Sequence, residues 1–179
     1  MVEITGLNYE KYAGKEYEAE IFSDVILDIE PQEEGFSMRW KKVDAGFRMS
    51  IKDKMLSEWL ENPIAYGAFD DGVMLGFVEG FLEKWNNRYR ISNICVFDAA
   101  NRHRGIGKML MERILLDAKE SGARMVVLET QSFNSAAISF YKKNGFQIIG
   151  FDRYAYSNDG PAEHNMRIEM GKKLMRSFR

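Results

Sequence analysis

The sequence predicts a mixed α/β fold, and three observations carry that prediction. In the first half, apolar residues recur at every second position in several separate runs, the period of half-buried strands. In the second half, two helical stretches flank the short apolar run Met125 to Thr130, the pattern of a strand buried on both faces. Between the halves, a glycine-bearing loop leads a strand directly into a helix.

Taken in order, Tyr17 to Ile29 sets Tyr17, Ala19, Ile21, Val25, Leu27 and Ile29 against mostly acidic neighbours and reads as a strand. Pro31 to Gly35 is a turn, and Phe36 to Trp40 a short returning strand. Ser50 to Leu60 reads as a helix, because Ile51, Met55, Trp59 and Leu56, Leu60 form one face and Asn62-Pro63 ends it. Ile64 to Phe69 and Val73 to Lys84 make a hairpin about Asp70-Asp71-Gly72, and Arg88 to Phe97 returns after Asn86-Asn87. Gly105 to Ser121 is an amphipathic helix with Ile106, Leu110, Ile114 and Ala118 inward and Gly122 as its left-handed cap. Asn134 caps a helix from Ser135 to Lys143, which Asn144-Gly145 stops. Gln147 to Tyr156 and Asn165 to Lys172 are the last two strands.

Composition excludes several classes of function. The 179 residues are 45% hydrophobic and 29% charged, with no repeat or linker, so residues 1–179 are expected to form one domain. No apolar run reaches the roughly 18 residues of a membrane span, and the first residues lack the pattern of a secretory signal. A single cysteine, Cys95, fits a reducing cytoplasm, and the two histidines give no metal-ligand spacing. A net charge of −2 argues against nucleic-acid binding. Residues 16–34 are strongly acidic, either as a solvated edge or as a lip that concentrates a cationic substrate.

The loop Arg102-His103-Arg104-Gly105-Ile106-Gly107-Lys108 is suited to phosphate. Its glycines let backbone approach a ligand, the following helix offers unsatisfied N–H groups, and its cations add charge. A plain strand-to-helix turn remains an alternative reading of this loop alone. The spacings of the NTPase phosphate loop and of the dinucleotide fingerprint are absent.

Farther on come Leu128-Glu129-Thr130-Gln131, Asn134-Ser135-Ala136-Ala137 and Phe140-Tyr141-Lys142-Lys143-Asn144-Gly145-Phe146. With the Arg-x-x-Gly-x-Gly loop ahead of them, these residues resemble the GCN5-related N-acetyltransferase superfamily, from about Val73 to Phe151. Lys84-Trp85-Asn86, Leu128 to Gln131, and Asp152 with Tyr156-Ser157-Asn158 are most similar to its streptothricin acetyltransferases. The resemblance implies a mostly antiparallel sheet splayed between the strands around Cys95 and Val127, and acetyl-CoA as co-substrate. It also implies pantetheine paired with the backbone of Cys95, Val96 and Phe97. The pyrophosphate is expected on the amides of Arg104, Gly105 and Gly107, within the Arg102 to Lys108 loop that includes Ile106. Asn134 and Phe140 are expected against the cofactor arm.

Amine acetylation by direct attack on a thioester needs a neutral amine and a stabilised thiolate. Tyr141 matches the family tyrosine that serves the departing sulfur. For the base, Glu79, Glu83, Asp98 and Glu129 are candidates; Glu129 is preferred because it lies in the matching tetrapeptide, with a cross-strand ion pair as its alternative role. Glu79 and Glu83 are expected to face outward. Cys95 is expected to be a buried thiol and not a nucleophile. Streptothricin acetyltransferases carry acidic residues where this chain has Ser92 and Asn93, which sets the acceptor apart. The expected function is transfer of acetyl to a primary amine of a small cationic acceptor, streptothricin- or aminoglycoside-like. The other readings are an N-terminal acetyltransferase of the ribosomal-protein alanine type and a non-catalytic acyl-CoA sensor. A homodimer is the family-level expectation. Trp40, Phe47, Trp59 and Trp85 are aromatic candidates for an acceptor pocket.

Overall fold

The computed structural model describes residues 1–98, 101 and 104–174. The chain divides into two compact units: residues 1–19, 51–128 and 172–179 belong to the first, and residues 20–50 and 129–171 to the second.

In the first unit, β1 (Glu3–Gly6) is followed by α1 (Tyr9–Tyr12), whose cap Asn8 accepts from the Lys11 amide. Then come β4 (Ile64–Asp70), β5 (Val73–Glu83), β6 (Arg88–Val96), α2 (Ile106–Glu120) and the start of β7 (Met125–Gln131). β1, β4, β5 and β6 pair antiparallel in that order, and β7 runs parallel to β6. A parallel neighbour needs a crossover connection, and α2 supplies it. The β4–β5 turn has two residues, Asp71 and Gly72, at φ 48° and 80°. Positive φ at both positions matches the twist of the flanking strands, which is why Asp-Gly is legible there. Ile106, Leu110, Ile114 and Ala118 of α2 are buried as their spacing predicts, alongside Phe77, Val78, Tyr89 and Ile91 of the sheet. Each large side chain among them contributes about 1.5–3 kcal/mol through its removal from water.

β2 (Glu16–Gln32) and β3 (Gly35–Lys54) form a two-stranded sheet of their own. Here the structure corrects the sequence reading twice. The strand expected at Phe36 to Trp40 runs on to Lys54, and the helix expected at Ser50 to Leu60 does not form. Phe47, Met49 and Ile51 alternate with Arg48, Ser50 and Lys52, so the period of two wins over the coincidental i, i+4 spacing of Ile51, Met55 and Trp59. Met55, Leu56 and Leu60 are buried as expected, but from turns, and Leu56 takes φ 49°.

The second unit holds the distal part of the β2–β3 ribbon, α3 (Ser135–Lys143), β8 (Gln147–Asp152) and most of β9 (Arg167–Lys173). β8 and β9 pair antiparallel from Gln147–Gly171 to Asp152–Arg167. Its core contains Ile26, Ile29, Phe133, Ile138, Phe146, Met166 and Ile168. Asn134 caps α3 by accepting from the Ala137 amide at 3.2 Å, and Gly145 follows at φ 86°. No helix among the described residues is long and apolar enough to cross a membrane, and they hold no metal-binding cluster.

Candidate active site

In the first unit, the register of β6 with β7 covers Arg88–Met125, Tyr89–Val126 and Arg90–Val127, whereas β6 itself continues to Val96. Ser92 to Phe97 are six consecutive half-buried residues, in contrast to the fully buried Val126, Val127 and Leu128 on the neighbouring strand. This is the splay that the family resemblance implies: a strand inside a sheet with one edge open to an extended ligand. On its other side β6 lies so close to β5 that a Cβ on Gly76 would overlap the Cys95 carbonyl. Cys95 is half-buried, which corrects the expectation of a buried thiol.

The strand leads to α2 through the loop. Arg102 and His103 lie outside the described residues. Gly105 is the N-cap of α2 at φ 79°, a conformation costly for any residue with a Cβ. It offers no side-chain cap, and the first turn of α2 has no acidic residue. The turn therefore keeps its N-terminal N–H groups and the positive end of its dipole for an outside anion. Ile106 is buried and anchors this turn, Gly107 is half-buried beside it, and exposed Lys108 lies 3.7 Å from Glu112. The Arg104 guanidinium is turned the other way, donating to Asp70 at 2.8 Å and to Asn101 at 2.7 Å. Hydrogen bonds from the N-terminal ammonium and Arg104 hold the Asp70 carboxyl below its ordinary value. The open strand edge, the uncapped turn and the absence of carboxylates in it fit a pantetheine-pyrophosphate ligand.

The head of β6 carries a polar cluster that differs from the sequence expectation. Glu79 of β5, expected to face outward, is fully buried. It accepts from the Leu56 amide at 2.6 Å, Asn93 Nδ2 at 2.8 Å and the Ser92 hydroxyl at 3.3 Å. Burial raises its carboxyl, and the three hydrogen bonds only partly oppose this. Ser92 and Asn93, the positions without acidic side chains, thus sit against a carboxylate from the adjacent strand. Asn93 Oδ1 accepts from the Tyr17 hydroxyl at 2.9 Å. Burial, and then the charge of Asp53, push that hydroxyl far up, so it stays protonated. The sequence does not single out Tyr17 or Asp53: Asp53 falls in the expected helix, and only Tyr17's inward place in its alternation marks it. Glu83, half-buried, is bound by Arg88 at 3.1 Å and Arg90 at 2.5 Å; burial would raise its carboxyl, but these partners and Asn86 outweigh that and lower it. Asp98 is exposed.

In the second unit, Tyr141 is 7% exposed on α3, between Phe140 at 5.6 Å and Phe146 at 6.1 Å. Phe140 is half-buried, and Asn134 is occupied at its amide oxygen by the helix cap. Glu129 accepts from Tyr156 at 3.4 Å and lies 3.9 Å from Arg167, which also reaches Asp152 at 3.5 Å. The cross-strand ion pair considered for Glu129 is therefore present. Burial and the Glu129 charge push the Tyr156 hydroxyl well up. Trp40 lies under Lys142 at 6.0 Å and Phe47 stacks on Phe133 at 4.4 Å. In the first unit, Trp59 and Trp85 are exposed at the surface.

The sequence profile of the acetyltransferase (GNAT) family matches residues 30–146. The chain is 34% identical over 108 residues to the streptothricin acetyltransferase of Streptomyces lavendulae, and 28% identical over 131 residues to that of Escherichia coli. These alignments cover 60% and 73% of this chain and span 56% and 72% of the two relatives. Among solved structures, a candidate streptothricin acetyltransferase from Bacillus anthracis str. Ames, in complex with acetyl coenzyme A, superposes with a TM-score of 0.74. It is 26% identical, and the match covers 98% of this chain and 99% of that one.

Proposed function

The chain belongs to the acetyltransferase (GNAT) family, and from that premise we propose that it is an acetyl-CoA-dependent N-acetyltransferase for a small cationic amine of the streptothricin type. The observation that carries this reading is the open edge of β6 running towards an uncapped, acid-free helix start at Gly105. The relatives named for streptothricin, and the solved neighbour that holds acetyl coenzyme A, support the same reading.

In this mechanism the backbone of Cys95, Val96 and Phe97 pairs with the pantetheine arm, and the amides of Arg104, Gly105 and Gly107 take the pyrophosphate with Arg102, Ile106 and Lys108 around it. Asn134 and Phe140 line the arm. Bound acetyl-CoA supplies the thioester that the amine attacks. Tyr141, held on α3 by its aromatic neighbours, gives its hydroxyl hydrogen bond to the leaving thiolate. Glu129, which lies 3.9 Å from Arg167, takes the proton of the amine directly or through a chain of water. Residues 1–179 act as one catalytic domain in a reducing cytoplasm, in keeping with a single cysteine.

Isothermal titration with acetyl-CoA tests the central claim: binding is expected, and no binding refutes it. A free-thiol assay then compares streptothricin, aminoglycosides, polyamines and N-terminal peptides. Turnover with peptides alone favours the N-terminal acetyltransferase reading; cofactor binding with no turnover favours a sensor.

A further inference from the structure

Glu79 is a fully buried carboxylate of the first unit that takes no part in the steps above. The strand beside it is irregular at this point. The β5–β6 register steps from Glu79–Asn93 to Gly80–Ile91, so Ser92 is an extra residue in β6. A bulge of this kind re-aims side chains, and here both Ser92 and Asn93 are turned onto Glu79. Asn93 thereby shares a face of the sheet with Phe77, and Tyr17 covers both: its ring meets Phe77 edge-on at 4.9 Å, and its hydroxyl donates to Asn93.

The donors around Asn93 leave its amide one orientation. Glu79 Oε2 takes the Leu56 amide, while Oε1 takes Asn93 Nδ2 and the Ser92 hydroxyl, so both oxygens accept, the pattern of an ionised carboxyl. At the other end of the amide, Asn93 Oδ1 accepts from Tyr17 and keeps a second lone pair. Asn93 is half-buried, on the part of β6 beyond its register with β7. Cys95, whose backbone takes the pantetheine in the mechanism above, follows two residues later, about 7 Å along the same face. The side chains of Ile94, Cys95, Val96 and Phe97 bring no strong acceptor, so Asn93 Oδ1 is what this open stretch offers to an N–H group.

We infer that Asn93 Oδ1 orients the attacking amine by accepting one of its N–H groups, and that Glu79 is the positioning residue that keeps this oxygen turned outward. The inference rests on the amine acetyltransferase reading and deepens it. Asn93 takes no proton. It holds the nitrogen so that its lone pair meets the thioester carbonyl, and the acceptor-only carboxylate behind it forbids the flipped amide, which would present N–H groups to the amine instead.

Glu79→Gln is the test, because it reverses half of the pattern. Its oxygen must stay with the Leu56 amide, in a residue 1% exposed, so its new NH2 group meets Asn93 Nδ2 and the Asn93 amide flips. Steady-state kinetics of the full chain at pH 8 use streptothricin, spermidine and a peptide with N-terminal alanine as amine probes. For the probe that wild type acetylates, kcat/KM should fall about 10- to 100-fold, while the KM for acetyl-CoA stays within about two-fold. Adding Asn93→Asp to Glu79→Gln restores an acceptor towards the new amide, Tyr17 and the amine, and should recover most of the loss. Asn93→Leu, which removes Oδ1 and leaves Glu79 in place, should lose as much as Glu79→Gln. Unchanged kcat/KM in Glu79→Gln or in Asn93→Leu overturns the inference, as does a double variant no better than Glu79→Gln alone. A parallel rise in the acetyl-CoA KM gives Glu79 a role in building β6 and also overturns it. A wild-type chain that binds acetyl-CoA but acetylates none of the probes refutes the acceptor reading by that control alone, and the inference falls with it.

Discussion

Glu79→Ala is the perturbation whose size follows most directly from the structure. The Leu56 amide, in a residue 1% exposed and at φ 49°, donates to Glu79 at 2.6 Å and loses that acceptor once the carboxylate is gone. Leaving one such buried donor unmade costs about 1–3 kcal/mol. The Asn93 amide and the Ser92 hydroxyl are half-buried and recover part of their loss from water, adding roughly 1 kcal/mol between them. Relief of the buried charge opposes these terms, so the net loss should fall below their sum, at about 1–3 kcal/mol. In a chain of this size that lowers the melting midpoint by roughly 6 °C. Urea unfolding at neutral pH, followed by far-ultraviolet circular dichroism, measures it.

Glu79→Gln separates charge from hydrogen bonding. The amide oxygen still serves Leu56, so the variant should lie within about 1 kcal/mol of wild type at neutral pH. Burial raises the folded Glu79 carboxyl above its value of 4.5 in the unfolded chain, so the unfolded chain releases its proton first as pH rises. The folded state then binds more protons, and stability falls from about pH 4.5 up to the raised value. Relative to wild type, Glu79→Gln should gain stability across that window and level off above it. A loss below about 1 kcal/mol in Glu79→Ala, or a flat Gln-minus-wild-type difference, refutes the assignment of a buried, hydrogen-bonded carboxylate.

Three further outcomes are expected. Gly105→Ala places a Cβ in open space but at φ 79°, so it should cost about 1–2 kcal/mol of strain at the helix start and weaken acetyl-CoA binding, read by calorimetry, more than it lowers the melting midpoint. Tyr141→Phe should cut kcat by about 100-fold or more with little change in cofactor affinity; an unchanged kcat removes its acid role. The Asp70 carboxyl should titrate below the ordinary aspartate range by carbon NMR, with its ion pairs present at neutral pH and lost as pH falls through that lowered value; Arg104→Gln should move it back up.

Local chemistry makes much of this molecule legible. The Asp71-Gly72 turn, the caps at Asn134 and Gly122, and the inward face of α2 are decided within a few residues, and each is readable. The segment around Ile51 is not, because its i, i+4 apolar spacing and its period-two alternation coexist, and the choice belongs to the partner strand across the ribbon. Glu79 misleads for a similar reason. Phe77, Val78 and Glu79 are all buried, so β5 is covered on both faces, and the default of an outward carboxylate fails. Tyr17 reaches Asn93 across 76 positions, a contact that depends on register and on no motif. The family motifs mark the loop ahead of α2 and Tyr141, whereas the cluster around Tyr17 is built from these non-local contacts.

The open edge of β6 has a consequence for the life of the protein between turnovers. Backbone amides on that edge of Ile91 to Val96 have no strand across them among the described residues, so they should exchange hydrogen with solvent quickly for a strand in the middle of a sheet. A ligand that pairs there closes the gap and adds its binding free energy to the folded state alone. The resistance of this chain to proteolysis would then track the supply of its co-substrate, and starvation for that metabolite would shorten the lifetime of the protein as well as its output.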